Sequence, residues 1–314
     1  TEGVAAVKQR SASDGLIRLN EKGMGTMKMA SIAIVAISVG ILTGCNSGLT
    51  EVSRPLANKH VNAGSGNGAD SGSGNGGNPS TASLAQGYYV DMITPGQREV
   101  GIVRDDGAFW IAYEGDTLRL GGFVSGIGTA AGTQASGTFT STDAIRYDFG
   151  QRTTDAERVD AHYVYKDCLC GRSIEASNGA VKVTFSSSYQ SLYELQPTLT
   201  ALAGTYSGGV AQTLVDEQGV TLQIGADGAL SAVMANACTL TGTFKPHAVG
   251  NLYDVTVTAG PAPCSTPGTV YTGVAVLDSG KLLVMATDAS RQAALALRGA
   301  RPIAATPVSS SSAS

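Results

Sequence analysis

Val220–Met234 reads VTLQIGADGALSAVM, two short apolar runs separated by Asp227-Gly228. Asp-Gly between such runs is a strong hairpin signal, because the turn needs residues that accept a positive φ. The same grammar continues on both sides. Strands are expected at Gly204–Gly208, Val220–Ile224, Ala229–Met234, Cys238–Phe244, Leu252–Thr258, Val270–Leu277, Lys281–Ala286 and Ala293–Arg298, with Ser279-Gly280 as a second tight turn. Eight strands in meander order can close into a barrel, which leaves no sheet edge to protect.

The preceding region has the same character. Strands are expected at Tyr88–Asp91, Glu99–Val103, Ala108–Tyr113, Leu118–Val124, Ser136–Thr140, Ala144–Phe149, Arg158–Tyr165, Leu169–Glu175 and Ala180–Phe185. Between them GGFVSGIGTAAGTQASG (Gly121–Gly137) is so rich in glycine that an open loop is expected. Three blocks match across the halves in the same order. Gly87-Tyr88-Tyr89 corresponds to Gly204-Thr205-Tyr206, DDGAFWI (Asp105–Ile111) to ADGALSA (Ala226–Ala232), and SGTFTSTDAIRYDF (Ser136–Phe149) to TGTFKPHAVGNLYDV (Thr241–Val255). A duplicated unit of about 105–120 residues is the reading of that pattern. LYELQPTLTALAG (Leu192–Gly204) would join the copies through a short helical turn.

Composition agrees. Charged residues make up 15% of the 314, and glycine numbers 41, a balance that disfavours helices and favours strands and turns. The fold class is therefore all-β: two related antiparallel barrel or sandwich units. The net charge of −4 comes with no basic run able to neutralise several phosphates, so nucleic acid is excluded as a partner class.

Ahead of the β region lies MKMASIAIVAISVGILTGCNSG (Met27–Gly48). Its apolar run, Met29 to Leu42, is too short to span a bilayer, which takes about 20 residues, but fits the apolar region of an export signal behind Lys28. Leu42-Thr43-Gly44-Cys45 resembles the lipobox of bacterial lipoproteins. That resemblance implies diacylglycerol on the Cys45 thiol, cleavage before Cys45 and acylation of the new amino group. Two or more acyl chains anchor stably where one does not. Asn46 is not the aspartate associated with inner-membrane retention, so the resemblance implies the outer membrane, facing the periplasm or the cell exterior.

The expected organisation is thus an upstream extension over 1–26, with initiation at Met24, Met27 or Met29, and a signal helix over 27–44. A lipidated, flexible Gly/Ser/Asn linker follows over 45–85, then β units over 86–195 and 196–301, and a disordered tail over 302–314. The linker holds Gly72, Gly74 and Gly77 in the pattern G-x-G-x-x-G, but with low complexity on both sides it lacks the strand and helix that a dinucleotide site needs. The β units resemble the small barrel and sandwich repeats of Gram-negative surface lipoproteins, of which the transferrin-binding lipoproteins are the best-known group. They also resemble uncharacterised β-rich proteobacterial lipoproteins that open G-x-Y and carry an aromatic pair like Phe109-Trp110. No motif in the chain carries over iron-protein-binding residues.

Four cysteines fall in the β units, an even number suited to disulfides in an oxidising compartment. Cys238 and Cys264 are expected to bond, and neither has the close second ligand of a zinc site. Cys168 and Cys170 form a possible second pair, with a strained bridge, a metal or a redox role as the alternatives. The histidines His60, His162 and His247 are read as surface or turn residues. No nucleophile elbow, H-E-x-x-H helix or phosphate loop is present, so no catalytic residue, metal or cofactor is assigned and the protein is not read as an enzyme. Phe109, Trp110, Tyr113, Tyr163 and Tyr165 recur at strand spacing. Core packing is the plainer reading, and a recognition face formed by Phe109, Trp110 and Tyr113 beside the Gly121–Gly137 segment is the sharper one.

The function expected from these readings is a lipid-anchored cell-envelope protein that presents a β domain for binding or scaffolding, with the membrane as its partner through the anchor. The alternative is a small-ligand carrier or hydrolase with its site in a barrel mouth. A concave apolar interior would favour the carrier, and a filled interior would favour scaffolding.

Overall fold

The computed structural model describes residues 84–94, 97–114, 120–213 and 215–302. The signal segment, Cys45, the linker with His60, and the tail beyond residue 302 lie outside the described residues. Nine strands come first: β1 (Gly87–Thr94), β2 (Gln97–Val103), β3 (Ala108–Glu114), β4 (Leu120–Ile127), β5 (Thr129–Gly132), β6 (Ser136–Asp148), β7 (Thr153–Val164), β8 (Cys168–Glu175) and β9 (Val181–Tyr189). A 3-10 turn (Ser191–Glu194) and the one-turn helix α1 (Leu199–Leu202) lead to β10 (Gly204–Gln212), β11 (Val215–Ile224), β12 (Ala229–Met234), β13 (Thr239–Pro246), β14 (Tyr253–Ala259), β15 (Val270–Asp278), β16 (Lys281–Asp288) and β17 (Ala294–Ala300).

Each set closes on itself. In the first, sequential strands pair antiparallel except β4 and β5, β9 returns to β1, and β4 pairs with β6, so eight strands form a barrel with β5 as a short extra strand on β6. In the second, β10 to β17 form an eight-stranded barrel closed by β10 against β17. All eight expected strands of the second unit are present.

The copies also agree in detail. Tyr89 Oη donates to Ala85 O at 2.9 Å, and Tyr206 Oη donates to Leu202 O at 2.6 Å, the same four-residue reach backward at the start of each barrel. At the two Asp-Gly turns Asp106 and Asp227 each accept from the amide two residues on, at 3.0 Å in both. Gly107 and Gly228 adopt φ of 84° and 82°, a conformation that costs glycine nothing. The third match holds only in part. Tyr147-Asp148 and Tyr253-Asp254 both lie on the fifth barrel strand, but the Gly-Thr-Phe that precedes them lies on β6 in the first unit and on β13 in the second.

Gly121–Gly137 is not an open loop. It forms most of β4, all of β5 and the start of β6, and the two strands expected at Ser136–Thr140 and Ala144–Phe149 are one long strand with a register shift between Ser141 and Ala144. Its glycines admit close neighbours: a Cβ on Gly128 would lie 2.2 Å from the Phe139 ring, and one on Gly137 would lie 2.1 Å from Ala131 O. Composition hid the strand because it was selecting for close approach.

Three apolar clusters explain the packing. The first lumen is filled around Phe109, Ile111, Phe139, Tyr163 and Phe185, and the second around Tyr206, Leu222, Leu240, Phe244 and Tyr271. The third lies between the barrels, where Ile102, Trp110, Phe123 and Tyr147 of the first meet Val274, Met285, Ala294 and Ala296 of the second. Strands in this seam are covered on both faces. In β3 the run Ala108–Ala112 is buried without a break, whereas β12, which faces solvent on one side, alternates exposed and buried along its length.

Polar bridges surround the seam. His247 Nδ1 lies 3.0 Å from both carboxylate oxygens of Asp254, and its Nε2 lies 3.0 Å from Asp105 Oδ1 on the first barrel. Arg104 joins Asp106 to Asp254 and lies over the Trp110 ring. On another side, Arg291 binds the Asp143 carboxylate at 2.8 and 2.9 Å, and Tyr147 Oη donates to Arg291 O at 3.0 Å.

Candidate functional site: the cleft between the barrels

Where the seam reaches the surface it opens into a cleft of about 320 Å³. Val100, Ala112 and Leu120 supply one wall and Val276 and Leu283 the other. These side chains line the cleft because they occupy outward positions of strands whose inward neighbours fill the lumens. Alternation in β2 directs Val100 and Ile102 to the seam and Val103 to the lumen, as their two clusters record.

Arg98, Lys281, Arg298, Glu114 and Asp278 surround the cleft. Arg98 pairs with Asp278 across the seam, and Tyr88 Oη donates to the same carboxylate at 3.0 Å. Burial acts against ionising Asp278, yet its bonds from Arg98, Ser279 and Tyr88 hold its pKa below the ordinary value. Arg298 Nη1 lies 3.3 Å from Glu114 Oε1, a second pair across the seam. Lys281 follows the Ser279-Gly280 turn, is exposed, and makes no ion pair among the described residues.

The first lumen carries the second chemical feature. Its apolar half is followed toward the β1–β2 hairpin by charged side chains. Arg146 binds Glu157 at 2.7 Å, Asp148 at 2.7 Å and Asp155 at 2.5 Å, so one guanidinium serves three carboxylates. Glu99 is fully buried and neither of its carboxylate oxygens has a hydrogen-bond partner among the described residues; Glu157 Oε2 and Ser173 Oγ are in the same condition. Burial, with the Asp91 carboxylate adding to it, pushes the Glu99 pKa up to about 8. Among the described residues the second barrel buries no charged side chain.

The residues singled out from sequence fall as follows. Phe109 is 0% exposed inside the first barrel, edge-on to Phe139, and Trp110 is 9% exposed in the seam, so these two are core residues and present no recognition face. Tyr113 borders the cleft. Tyr163 is core, and Tyr165 stands 40% exposed beside Lys166. Cys238 and Cys264 are bonded, which rules out a metal at that pair. Cys168 and Cys170 are disulfide-bonded too, so neither is a free thiol; Cys170 Sγ lies 3.5 Å from Ser186 Oγ. His247 is a tie between the barrels rather than a free turn residue, because its loop lies against Asp105 of the neighbouring hairpin.

Sequence reasoning missed Arg98, Glu99, Lys281 and Arg298. For Glu99 a signal existed: a carboxylate on the same alternating face as Val103 in a short apolar strand marks a charge inside a barrel. The cleft had none, since it exists only once two separate sheets meet. Among the described residues no cluster of three or more His, Cys, Asp or Glu has the arrangement of a metal site. No family model matches the chain, and no curated protein or solved structure gives a match to it.

Proposed function

We propose that this is a lipid-anchored, non-enzymatic protein of the bacterial cell envelope that holds a two-barrel body on a tether for binding. The observation that carries the anchor is the sequence MKMASIAIVAISVGILTGC (Met27–Cys45), in which an apolar run of export-signal length ends on a small residue and a cysteine. The tether reading rests on residues 46–83, which offer too little large apolar surface to fold. The outer membrane is the proposed location, on the ground of Asn46.

Binding at the seam is favoured over a carrier or hydrolase site in a barrel mouth. The second lumen is occupied by its own side chains, and the described cleft lies outside both barrels. In cells given labelled palmitate, the wild-type chain should take up label and fractionate with membranes. Cys45→Ala should lose both properties. Label retained by the variant overturns the anchor.

A further inference from the structure

We infer that Cys168 and Cys170 form a redox-active disulfide that takes two electrons from a dithiol at the outer face of the first barrel. Both cysteines are disulfide-bonded, and Cys238 and Cys264 hold each other. A sulfur makes one such bond, so the fifth cysteine, Cys45, can serve only one of the two, and Cys168 and Cys170 bridge each other. Leu169 between them fills the lumen, which sets both sulfurs on the outward face of β8.

Access and loop length separate this bond from the other one. Cys238 and Cys264 are buried in the second lumen and close a 26-residue separation, which makes their bond a constraint on the unfolded chain. Cys170 is partly exposed, and a bridge across one intervening residue closes almost no loop. The strand does not need it. β8 is paired with β7 from Cys168 to Glu175 and with β9 from Cys168 to Ile174, so the sheet holds both sulfurs in place in either oxidation state.

The neighbours of Cys170 suit a sulfur that carries charge in passing. His162 on β7 and Ser186 on β9 lie directly opposite it on either side. Ser186 Oγ is 3.5 Å from Cys170 Sγ, and since the bonded sulfur has no hydrogen, the hydroxyl is the donor. His162 is exposed and offers an imidazole to take the proton of an incoming thiol. The cations of this hairpin are engaged: Arg172 lies opposite Asp160, and Lys166 is bound to Glu194. Stabilising a Cys170 thiolate therefore falls to Ser186 and His162.

A substrate thiolate attacks Cys170 Sγ, the more exposed sulfur. The bond to Cys168 breaks, and its electron pair leaves on Cys168 Sγ, which takes a proton. The second substrate thiolate then attacks the first substrate sulfur, and Cys170 leaves as a thiolate and is protonated in turn. The substrate dithiol becomes a disulfide, and its two electrons and two protons stay on Cys168 and Cys170. A monothiol would be expelled by Cys168, held close to the mixed disulfide, so the substrate must carry its second thiol near the first.

The oxidised full chain, mixed with dithiothreitol at neutral pH without denaturant and quenched by alkylation, tests this through peptide mapping. Cys168 and Cys170 should open about tenfold or more faster than Cys238 and Cys264, with one oxidised dithiothreitol formed per chain. 2-Mercaptoethanol at equal thiol concentration should open far less. A His162→Ala, Ser186→Ala double variant should open Cys168 and Cys170 about tenfold more slowly, with Cys238–Cys264 still closed as the sign of an intact fold. Opening of both disulfides together, equal opening by the monothiol, an unchanged rate in the double variant, or a map that joins Cys168 or Cys170 to any other cysteine overturns the proposal. The anchor plays no part in it, so the palmitate test stands or falls separately.

Discussion

Glu99 is a costly side chain, since its carboxyl is buried and neither oxygen has a hydrogen-bond partner among the described residues. The folded chain answers by holding the proton. Its pKa stands at about 8 against an ordinary 4.5, so between those values the folded state binds a proton that the unfolded state has released. The stability that this proton confers is complete below about pH 4.5 and is lost as pH rises through about 8. At about 1.4 kcal/mol per pKa unit the effect amounts to a few kcal/mol. Urea unfolding across pH 5–9 should show the wild type weakening with rising pH and Glu99→Gln keeping more of its stability at pH 9. A Gln variant that weakens as steeply as the wild type would show that the slope arises elsewhere.

At the scale of elements, the second barrel was legible strand by strand and the first was legible everywhere but between β4 and β6. Asp227-Gly228 and Ser279-Gly280 punctuate alternating runs, and each turn found its place because local chemistry alone decides it. The β4–β6 region resisted because Gly128 and Gly137 serve tertiary contacts, and a residue chosen for what approaches it looks in sequence like one chosen for freedom. Seam positions such as Trp110 and Val274 resisted for another reason: an apolar residue on the outward face of a strand does not say what covers it. The Cys238–Cys264 pairing was legible because few partners were available. Closing a 26-residue separation, this bond should contribute roughly 3–4 kcal/mol through chain entropy. A Cys238→Ala, Cys264→Ala double variant should lose about that much in urea unfolding. A loss under 1 kcal/mol would mean that the β13–β15 segment is held by packing alone.

For the whole molecule, the seam makes two barrels into one body. Its apolar centre joins side chains from both units, and the His247, Arg98, Arg291 and Arg298 bridges fix their orientation from several sides. The cleft depends on this union, because neither barrel alone owns both of its walls. The two barrels are therefore expected to unfold together. Differential scanning calorimetry of the oxidised chain should show one transition whose calorimetric and van't Hoff enthalpies agree, and Val274→Asp, which puts a carboxylate into the seam, should split it in two. Two resolved transitions in the wild-type chain would contradict the account.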